Sequence, residues 1–469
     1  MGSDTTTPPV SISPLLLQLA DPTTTLYSIS ASEIAAAVAL IFNNSISPVQ
    51  IGCLLYALHS TQLDRRPDIL AACAQAMRDA ASQTDVKKLR EVVKGKNKAE
   101  GRYEGGLVSR PLLSSPCIFD NTPSAHKKQN HVSLILSPSH ALTVLQLDIV
   151  GTGGDSHNTY NVSTTSSILA SPLLLMAKHG NNASTSRSGS ADLLLSANPS
   201  PVIESASPLT ISSLLDRTNY AFLYAREWHP GMKYAASVRK ELPFRTIFNL
   251  LGPLANPVHS SGLIEARILG VAKRDMGAVF ADALRLSGAK KAMVVCGEED
   301  LDEISCAGGT RCWLLRKRTG SGSDHAYVTT SPTRGYGSDE VEILPFSIRP
   351  EDFGLTPHPL KDVAGGKSPK ENAEILGRLL KGELPEDDPV LTFVLMNTAA
   401  LLAVSGICDA ENSNMGEGDD GQVITERGPG GLRWKEGVRR ARWCITSGAA
   451  KKEWEQYVAV TRDIAGQSS

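Results

Sequence analysis

The sequence has almost no excess charge and no long apolar run, and these two absences narrow the possible functions. Its 469 residues include 47 basic and 49 acidic side chains, spread along the chain. The basic surface typical of proteins that bind nucleic acid or anionic lipid is therefore not expected. No apolar stretch approaches the roughly 20 residues of a membrane-spanning helix. Any anionic ligand must be held by local groups, and neither a membrane nor nucleic acid is an expected partner.

The cysteines also lack a functional pattern. Even the closest pair, Cys306 and Cys312, does not have the spacing of metal ligands or of a redox motif. This favours reduced, mostly buried thiols and a cytoplasmic location. Residues 1–14 are rich in Ser, Thr and Pro and lack the basic start and apolar core of a signal peptide, so residues 1–12 are expected to be a disordered terminus.

What the sequence does contain is a globular balance of residues, with 41% hydrophobic and 20% charged side chains in a chain long enough for two domains. Residues 30–83 carry apolar side chains three and four positions apart, as at Ile34, Val38 and Ile41. Ser47-Pro48 is typical of a helix start, because proline is favoured at the first helical position. The pattern predicts an all-α N-terminal domain over residues 13–106.

From residue 145 onward the pattern changes to short apolar runs that alternate with helical segments. The runs predicted as buried strands are 145–150, 173–177, 266–271 and 292–296. Such alternation is typical of a mostly parallel sheet flanked by helices. We therefore predict the α/β class, with an α/β domain over residues 147–469 that is separate from the all-α domain.

An insert at residues 107–146 does not fit either domain, since structureless loops beyond about 15 residues are uncommon inside compact domains. One hypothesis is a retained intron. Val108-Ser109 can be encoded by a splice-donor-like sequence, and residues 141–146 can be encoded by a branch-point-like stretch with an acceptor-like triplet. A genuine surface loop is the alternative. Residues 409–431, rich in Gly, Asp and Glu, are predicted to form a mobile loop.

The first group of candidate site residues follows the first predicted strand. Residues 148–155 read DIVGTGGD, and they lead to NVSTT at 161–165. Glycines at a strand end let backbone N–H groups approach a bulky anion, and Ser and Thr at a helix start add donors where the helix dipole favours negative charge. The pattern predicts a phosphate site, although an ordinary Gly-rich turn would look the same in isolation.

Two further groups follow later predicted strands. Residues 178–181 read KHGN and precede a small polar run at 184–190, which together offer a lysine charge, hydroxyls and amides to a phosphate. Residues 298–305 read EEDLDEIS, and paired carboxylates are suited to magnesium. A lone histidine such as His179 is more often structural, and acidic loops are usually solvated. Ligands of open α/β sheets, however, bind at the carboxyl ends of strands, where all three groups fall.

A fourth group spans residues 229–257, from HPGMK through VRKELPFRTIFNLLGPLANP. Arg239 and Arg245 could bind a carboxylate with paired donors, whereas an ion pair is the ordinary role of an arginine on a helix. Gly252-Pro253 is expected to end the helix and to present backbone beside a ligand. Residue chemistry alone leaves the ligand open.

These four stretches, in this order, resemble the signature of the anthranilate phosphoribosyltransferase family, and the run 245–257 carries most of the resemblance. Pyrimidine nucleoside phosphorylases share the architecture and the KHG element. The family implies transfer of the phosphoribosyl group of phosphoribosyl pyrophosphate (PRPP) to anthranilate with magnesium as cofactor. It also implies an active site in the interdomain cleft, a helical domain completed by part of 229–257, and a homodimer.

Carried over to this sequence, the resemblance assigns residues to each ligand. Anthranilate is expected to contact Gly151, Asn181 and Arg239. Magnesium is expected at Ser163, Asp302 and Glu303. PRPP is expected to be bound by Gly151, Gly154, Asp155, Thr159, Asn161, Val162, Ser163, Thr164, Lys178, His179, Gly180, Asn181, Asn182, Ala183, Ser184, Thr185, Ser186 and Ser190.

No acid/base catalyst is expected, and Lys178, Asp302 and Glu303 are the residues predicted to stabilise the transition state. The sequence departs from the family at Asn182, where a basic residue is usual, and Arg187 could compensate for it. Two other functions remain open at this point. One is a nucleoside phosphorylase-like enzyme, and the other is a non-catalytic relative that binds nucleic acid.

Overall fold

The structure, a computed structural model, describes residues 10–25, 28–100, 146–155, 157–183, 188–318, 341–364 and 368–467. Side chains are described for all of these except 97–100, 146–147 and 260–261. The predicted insert lies outside the described residues apart from Gln146, which begins a strand. Within the described ranges, no helix has the length and apolar character needed to span a membrane.

The N-terminal part of the chain is entirely helical. Ser30 and Ser47 cap the second and third helices with their side chains, and Pro48 occupies the first turn as predicted. The apolar positions Ile34, Val38 and Ile41 are fully buried. The helices are α1 (Ser13–Ala20), α2 (Ala31–Phe42), α3 (Pro48–Ser60), α4 (Pro67–Asp79) and α5 (Val86–Glu100).

The rest of the described chain forms a sheet with helices on its faces. The strands are β1 (Gln146–Gly151), β2 (Leu175–Gly180), β3 (Tyr220–Tyr224), β4 (Ile264–Gly270), β5 (Lys291–Gly297), β6 (Thr310–Lys317) and β7 (Val341–Ile348). The helices are α6 (Val162–Ala170), α7 (Ser190–Leu195), α8 (Ile211–Arg217), α9 (Ala225–Trp228), α10 (Lys233–Glu241), α11 (Ile247–Leu251), α12 (Asp275–Leu286), α13 (Pro369–Leu380), α14 (Pro389–Ser405), α15 (Trp434–Thr446) and α16 (Ala449–Gln467).

The strand order is β3-β2-β1-β4-β5-β6-β7, parallel through β5 and antiparallel for the last two strands. The predicted class, an α/β fold with a mostly parallel sheet and a separate helical domain, is confirmed. Consecutive strands run outward from β1 on one side, and the chain then returns to place β4 on its other side. The switch in direction therefore lies between β1 and β4, where open α/β sheets bind their ligands.

Three strands were absent from the sequence prediction. β3 is short and wholly buried, so its apolar run cannot be distinguished from a helical segment by periodicity. β6 and β7 form the antiparallel end of the sheet. β7 contains Pro345, which an edge strand tolerates because proline has no N–H to donate to a neighbour.

The helical and α/β parts share packing surfaces. α10 lies against α2 and α3, and α11 lies against α3 and α4, so the segment after β3 returns to the helical domain. α12 covers β5 and also packs on α4. One apolar core therefore continues from the N-terminal helices to one face of the sheet.

Residues 409–431 are irregular, as their composition suggested, but they are anchored to α15. Arg439 of α15 donates to the Asp419 carboxylate at 3.0 Å and to the Ser413 hydroxyl at 2.7 Å. Glu436 accepts a hydrogen bond from the backbone N–H of Ile424 at 2.9 Å, and Met415 is buried. The mobility of this loop stays a prediction. Composition missed the anchoring because the partners come from a helix further along the chain.

Candidate active site

A cavity of about 420 Å³ opens at the carboxyl ends of β1 and β2, beside the start of α6. Its wall combines a Gly-rich turn, a buried lysine and an acidic loop. It is lined by Val150, Gly151, Thr152, Gly153, Gly154, Asp155, Asn158, Thr159, Tyr160, Asn161, Ser163, Lys178, His179, Gly180, Asn181, Asn182, Ala183, Ser188, Gly189, Ser190, Asp302 and Glu303. The three predicted strand-end groups therefore meet in one place.

The Gly-rich turn after β1 has a backbone that only glycine adopts readily. Gly153 has φ 65° and Gly154 has φ 82°, values in the left-handed region where a Cβ is strained. The N–H of Gly153 donates to the Asp302 carboxylate, and the N–H of Thr152 donates to the carbonyl of Gly270 at 3.0 Å. The turn thus contacts both β4 and the acidic loop.

Asp302 is buried and Glu303 is half-buried beside this turn. Burial, with the nearby charge of Asp155, raises the pKa of Asp302 to about 7. Burial and the charge of Asp302 likewise raise the pKa of Glu303 well above its ordinary range. Thr159 donates to Glu303 at 2.9 Å. Carboxylates crowded in this way repel one another when ionised, and a cation would relieve that repulsion.

The donor set fits magnesium, because carboxylate and hydroxyl oxygens are the hard ligands this ion prefers. Ser163 lines the same cavity as Asp302 and Glu303. Among the described residues, no group of at least three metal-ligating side chains forms a complete cage. Magnesium is usually coordinated by only one or two protein carboxylates, and water and phosphate oxygens complete its coordination shell.

Lys178 is the buried cation of the cavity. Its ammonium donates to the carbonyl of His179 at 3.2 Å. Burial lowers the pKa of Lys178, while the charges of Asp148 and Glu303 oppose that shift. Asp148 is itself fully buried in β1 and accepts from the amide of Asn256 at 3.0 Å. Lys178 therefore lines the cavity as a buried cation near the carboxylates of Asp148 and Glu303.

His179 lies at the back of the cavity beside His229, with ring centroids 5.1 Å apart. Burial lowers the pKa of each to about 3, so both rings are neutral near pH 7. His229 contacts the carbonyl of Ala255 at 3.0 Å, whereas Nε2 of His179 is buried without a hydrogen-bond partner. His179 therefore presents a neutral ring to the cavity, and His229 packs beside it without lining the cavity.

Several predicted residues lie elsewhere. Val162 and Thr164 are buried in α6 and do not line the cavity. The backbone N–H of Thr164 donates to Oδ1 of Asn161, which caps α6, at 3.3 Å. Ser184, Thr185, Ser186 and Arg187 lie outside the described residues.

The two arginines of the fourth group occupy different places. Arg239 is half-buried on α10, with its guanidinium 5.6 Å from the ring centroid of Phe248, and it does not line the cavity. Arg245 instead contacts the Gly-rich turn, where it donates to the carbonyl oxygens of Gly153 at 2.7 Å and Thr152 at 2.9 Å. Backbone oxygens thus accept from both terminal nitrogens of Arg245 in this structure, and the suggestion that Arg245 binds a ligand carboxylate stays a prediction. Sequence spacing could not show which of the two arginines contacts the Gly-rich turn, because both belong to the same stretch of sequence.

Asn182 is tied into the loop that follows β2. It donates to Asp192 at 2.6 Å, and its oxygen accepts from the Tyr224 hydroxyl at 2.6 Å. Asp192 also accepts from the backbone N–H groups of Ala183 and Gly189. The uncharged residue at this position therefore organises the loop.

Sequence reasoning assigned no role to three residues that hold the site in place. Asn256 bridges Asp148 and the carbonyl of Ala177, and Asn397 hydrogen-bonds both backbone groups of Ile304. Gly270 ends β4 so close to Asp302 that a Cβ would overlap the Asp302 carbonyl oxygen. The sequence did contain two signals of such roles, namely Asp148 inside an apolar strand and Asn397 inside an apolar helix. Buried polar groups need hydrogen-bond partners, so each predicts a polar contact.

Comparisons with known proteins agree with this architecture. The model described as "Glycosyl transferase family, helical bundle domain" matches residues 14–81, and the one described as "Glycosyl transferase family, a/b domain" matches residues 144–451. The fold and the site therefore define a two-domain glycosyltransferase.

The relatives narrow this class. The chain is 35% identical to the anthranilate phosphoribosyltransferase of Schizosaccharomyces pombe over 91% of each sequence. The Saccharomyces cerevisiae enzyme in complex with PRPP and Mg matches with a TM-score of 0.67 and 26% identity, covering 97% of this chain and 99% of that one. The same enzyme in complex with 4-fluoroanthranilate matches with a TM-score of 0.65 and 25% identity, covering 96% of each. This chain belongs to the anthranilate phosphoribosyltransferase family.

Proposed function

We propose that this enzyme transfers the phosphoribosyl group of PRPP to the amine of anthranilate, giving N-(5-phosphoribosyl)anthranilate and pyrophosphate, in the second step of tryptophan biosynthesis. The observation that carries the proposal is the convergence of the Gly-rich turn, Lys178 and the Asp302-Glu303 pair in one cavity at the switch point of the sheet. Relatives with the same fold bind PRPP and 4-fluoroanthranilate.

In this proposal the protein acts by positioning and electrostatics. The turn at 151–155, the segment at 178–183 and Ser190 hold PRPP, and Lys178 faces the charge that develops as the bond from pyrophosphate to ribose C1 lengthens. The anthranilate amine is uncharged and attacks C1 of an oxocarbenium-like transition state. No general base is required, which agrees with the neutral state of His179.

Magnesium would be held by Ser163, Asp302 and Glu303. When bound, it supplies positive charge that stabilises the leaving pyrophosphate. Asp302 has a second contact, since it accepts the N–H of Gly153. This hydrogen bond therefore holds the acidic loop next to the Gly-rich turn without help from a bound metal ion.

The proposed anthranilate contacts are Gly151, Asn181 and Arg239. Gly151 and Asn181 line the cavity. Arg239 has no hydrogen-bonded carboxylate among the described residues, and burial lowers its pKa. A half-buried guanidinium without an acidic partner is suited to bind the carboxylate of an aromatic acid.

The decisive assay follows the loss of anthranilate fluorescence with PRPP and MgCl2. We expect turnover that requires both. Phosphorolysis of a pyrimidine nucleoside by the same preparation, without loss of anthranilate, would contradict the proposal and favour the phosphorylase reading. Tight binding of nucleic acid without either activity would favour a non-catalytic role.

Two variants test the assigned residues within that assay. Replacing Asp302 and Glu303 together by Ala should abolish turnover, because the magnesium ligands are lost; near-normal rates at limiting magnesium would contradict the metal assignment. Arg239→Ala should chiefly raise KM for anthranilate, while KM for PRPP changes little. Equal effects on both would remove Arg239 from the anthranilate site.

We also propose a homodimer formed through α1 and α3, which pack on each other. Val49 and Tyr56 are seven residues apart on α3 and 75% and 60% exposed, and Leu17 of α1 is 72% exposed. Residues seven apart lie on one helix face, and exposed apolar faces mark interfaces. Light scattering should show that Val49→Asp with Tyr56→Asp gives a monomer. Leu209→Asp, at a leucine elsewhere that is even more exposed, should remain dimeric.

A cytoplasmic location is proposed on the state of the cysteines. All seven cysteines among the described residues are free, and six of them are buried. Disulfides are rare in reducing compartments. Fluorescence microscopy of the tagged full chain would test the proposal, and a signal confined to an organelle would contradict it.

Residues 107–143 of the insert are proposed to lie outside the evolved fold, whereas Gln146 begins β1 and pairs with Leu175. Support comes from the family models, whose matches stop at residue 81 and resume at residue 144. α5 is nevertheless part of the fold, since Leu89 and Val93 are fully buried. Sequencing the mature transcript tests the intron hypothesis, and an abundant message that retains these codons contradicts it. Assay of a chain lacking residues 108–146 shows whether the insert affects activity.

A further inference from the structure

Arg245 lies in the short segment between α10 and α11 and reaches the Gly-rich turn from outside the cavity. Its two terminal nitrogens donate to two successive backbone oxygens, Gly153 O at 2.7 Å and Thr152 O at 2.9 Å. The contact is close enough that a Cβ on Gly154 would overlap Nη1 of Arg245. The guanidinium therefore occupies the outer side of the turn.

Because the peptide bond is planar, the contact of Arg245 with two backbone oxygens also determines the direction of the N–H groups that follow them. In a trans peptide the C=O and the following N–H point in opposite directions. When Arg245 holds the oxygens of Thr152 and Gly153 on the outside, the N–H groups of Gly153 and Gly154 face the opposite side. The first of these reaches the Asp302 carboxylate. The second makes no hydrogen bond within the described part of the chain.

The neighbouring residue fixes Arg245 to the helical domain. The Phe244 ring stacks on His59 at 4.6 Å between centroids and meets Tyr56 edge-on at 6.0 Å. Both partners lie on α3. The dipeptide Phe244-Arg245 thus joins a helix of the N-terminal domain to the turn that follows β1.

A guanidinium suits this role better than an ammonium. Its planar fork presents two parallel N–H donors, which match two adjacent carbonyl oxygens. Lysine could satisfy one oxygen well but would not set the orientation of two peptide planes. The positive charge also lies near Asp302, whose pKa it lowers in opposition to the effect of burial.

We propose that Arg245 is a positioning residue for PRPP: it orients the N–H of Gly154 toward the pyrophosphate and the N–H of Gly153 toward Asp302, without itself touching the substrate. The inference rests on the proposed function. It assigns to Arg245 a role in pyrophosphate affinity and no role in recognition of the anthranilate carboxylate.

The test compares Arg245→Ala and Arg245→Lys with a matched pair at Arg433. Arg433 also donates to two backbone oxygens of one loop, Cys408 O at 3.2 Å and Ala410 O at 3.0 Å, far from the cavity in sequence. Calorimetry in the presence of MgCl2 would measure the Kd of PRPP and of inorganic pyrophosphate for the full-length chain. Steady-state kinetics would give KM for both substrates, and thermal unfolding would give Tm.

We expect Arg245→Ala to raise the Kd of PRPP and of pyrophosphate about tenfold or more, since hydrogen bonds from charged groups contribute about 1.5–3 kcal/mol. KM for anthranilate at saturating PRPP should stay near the wild-type value. Arg245→Lys should recover part of the affinity. Arg433→Ala should lower Tm to a similar extent and leave both Kd values unchanged.

Three results would overturn the inference. The first is a rise confined to KM for anthranilate, which would make Arg245 a carboxylate ligand. The second is a lower Tm of the Arg245 variants with unchanged Kd values for PRPP and pyrophosphate. The third is a loss of affinity in the Arg433 variants that equals the loss in the Arg245 variants. A wild-type chain that binds no PRPP would instead refute the proposed function, so the two failures are distinguishable.

Discussion

Asn397 acts through the backbone of another residue. It is buried in α14, where its Oδ1 accepts from the N–H of Ile304 at 3.2 Å and its Nδ2 donates to the carbonyls of Ile304 at 3.1 Å and Phe393 at 3.0 Å. Ile304 directly follows Glu303. One amide side chain therefore fixes the peptide that carries the acidic pair, and it does so from a helix nearly 100 residues further along the chain.

We predict that Asn397→Ala raises the MgCl2 concentration needed for half-maximal rate. The substitution leaves the buried N–H and C=O of Ile304 without partners, which costs about 1–3 kcal/mol for each group and frees the acidic loop to move. Rates measured across a MgCl2 series, with Tm measured in parallel, check this. Thr398→Val is the control, because the Thr398 hydroxyl is buried without a hydrogen bond. A normal magnesium dependence in Asn397→Ala would contradict the role.

At the scale of elements, the ends of β1 and β4 can approach the acidic loop closely because each of these strands ends in a glycine, which has no side chain. A Cβ on Gly270, at the end of β4, would overlap the Asp302 carbonyl oxygen, and one on Gly151, at the end of β1, would overlap the Asp302 carboxylate. Neither glycine has the positive φ seen at Gly153 and Gly154. Space, and not backbone conformation, requires glycine at these two strand ends.

We predict that Gly270→Ala lowers kcat by about tenfold or more, because the acidic loop must move away from the Gly-rich turn. Overpacking of this kind typically costs about 1–3 kcal/mol of stability. Gly377→Ala in α13 is the matched control, since no atom lies within 4 Å of its added Cβ. The control should keep full activity and gain about 0.5–1 kcal/mol from the better helix former. An active Gly270→Ala would show that the loop can shift freely.

At the scale of the whole molecule, two buried histidines, His179 and His229, and the half-buried His259 link stability to pH. Burial lowers the pKa of His179, His229 and His259 from 6.5 to about 3. His259 shows the neutral form directly, because it accepts from Arg267 at 3.0 Å and contacts the carbonyl of Ser287 at 3.1 Å with its other nitrogen. The folded protein therefore excludes protons that the unfolded chain takes up.

We predict that the free energy of unfolding falls as pH is lowered from 7 toward 4, because the three histidines outnumber the two carboxylates, Asp302 and Glu303, whose raised pKa values act in the opposite direction. Below the unfolded pKa of 6.5, each histidine that stays neutral only in the folded state costs up to about 1.4 kcal/mol per pH unit. His259→Gln keeps one donor and one acceptor, and it should remove up to one proton from this slope. Urea unfolding at a series of pH values measures it. An unchanged slope in the variant would mean that His259 is protonated in the folded state.

Part of this protein could be predicted from local pattern. Helical spacing predicted the helices around Ile34 and Val38, and apolar runs predicted β1, β2, β4 and β5, because periodicity and burial act over a few residues. The residue groups predicted to bind phosphate and magnesium could be placed at strand ends because these strands were predicted from the same local pattern. The short β3 and the antiparallel strands β6 and β7 were missed, since their pairing depends on partners that are distant in sequence.

The sequence by itself determined the fold class and the chemical types present at the site, because glycines, a lysine and acidic residues were already placed where strands end. The tertiary structure decided which of these residues meet, and which residues serve only to hold others. Arg239 and Arg245 look alike in sequence, yet only Arg245 holds the Gly-rich turn. Asn256 and Asn397 acquire a role only when folding brings a buried carboxylate or an unpaired peptide within hydrogen-bonding distance.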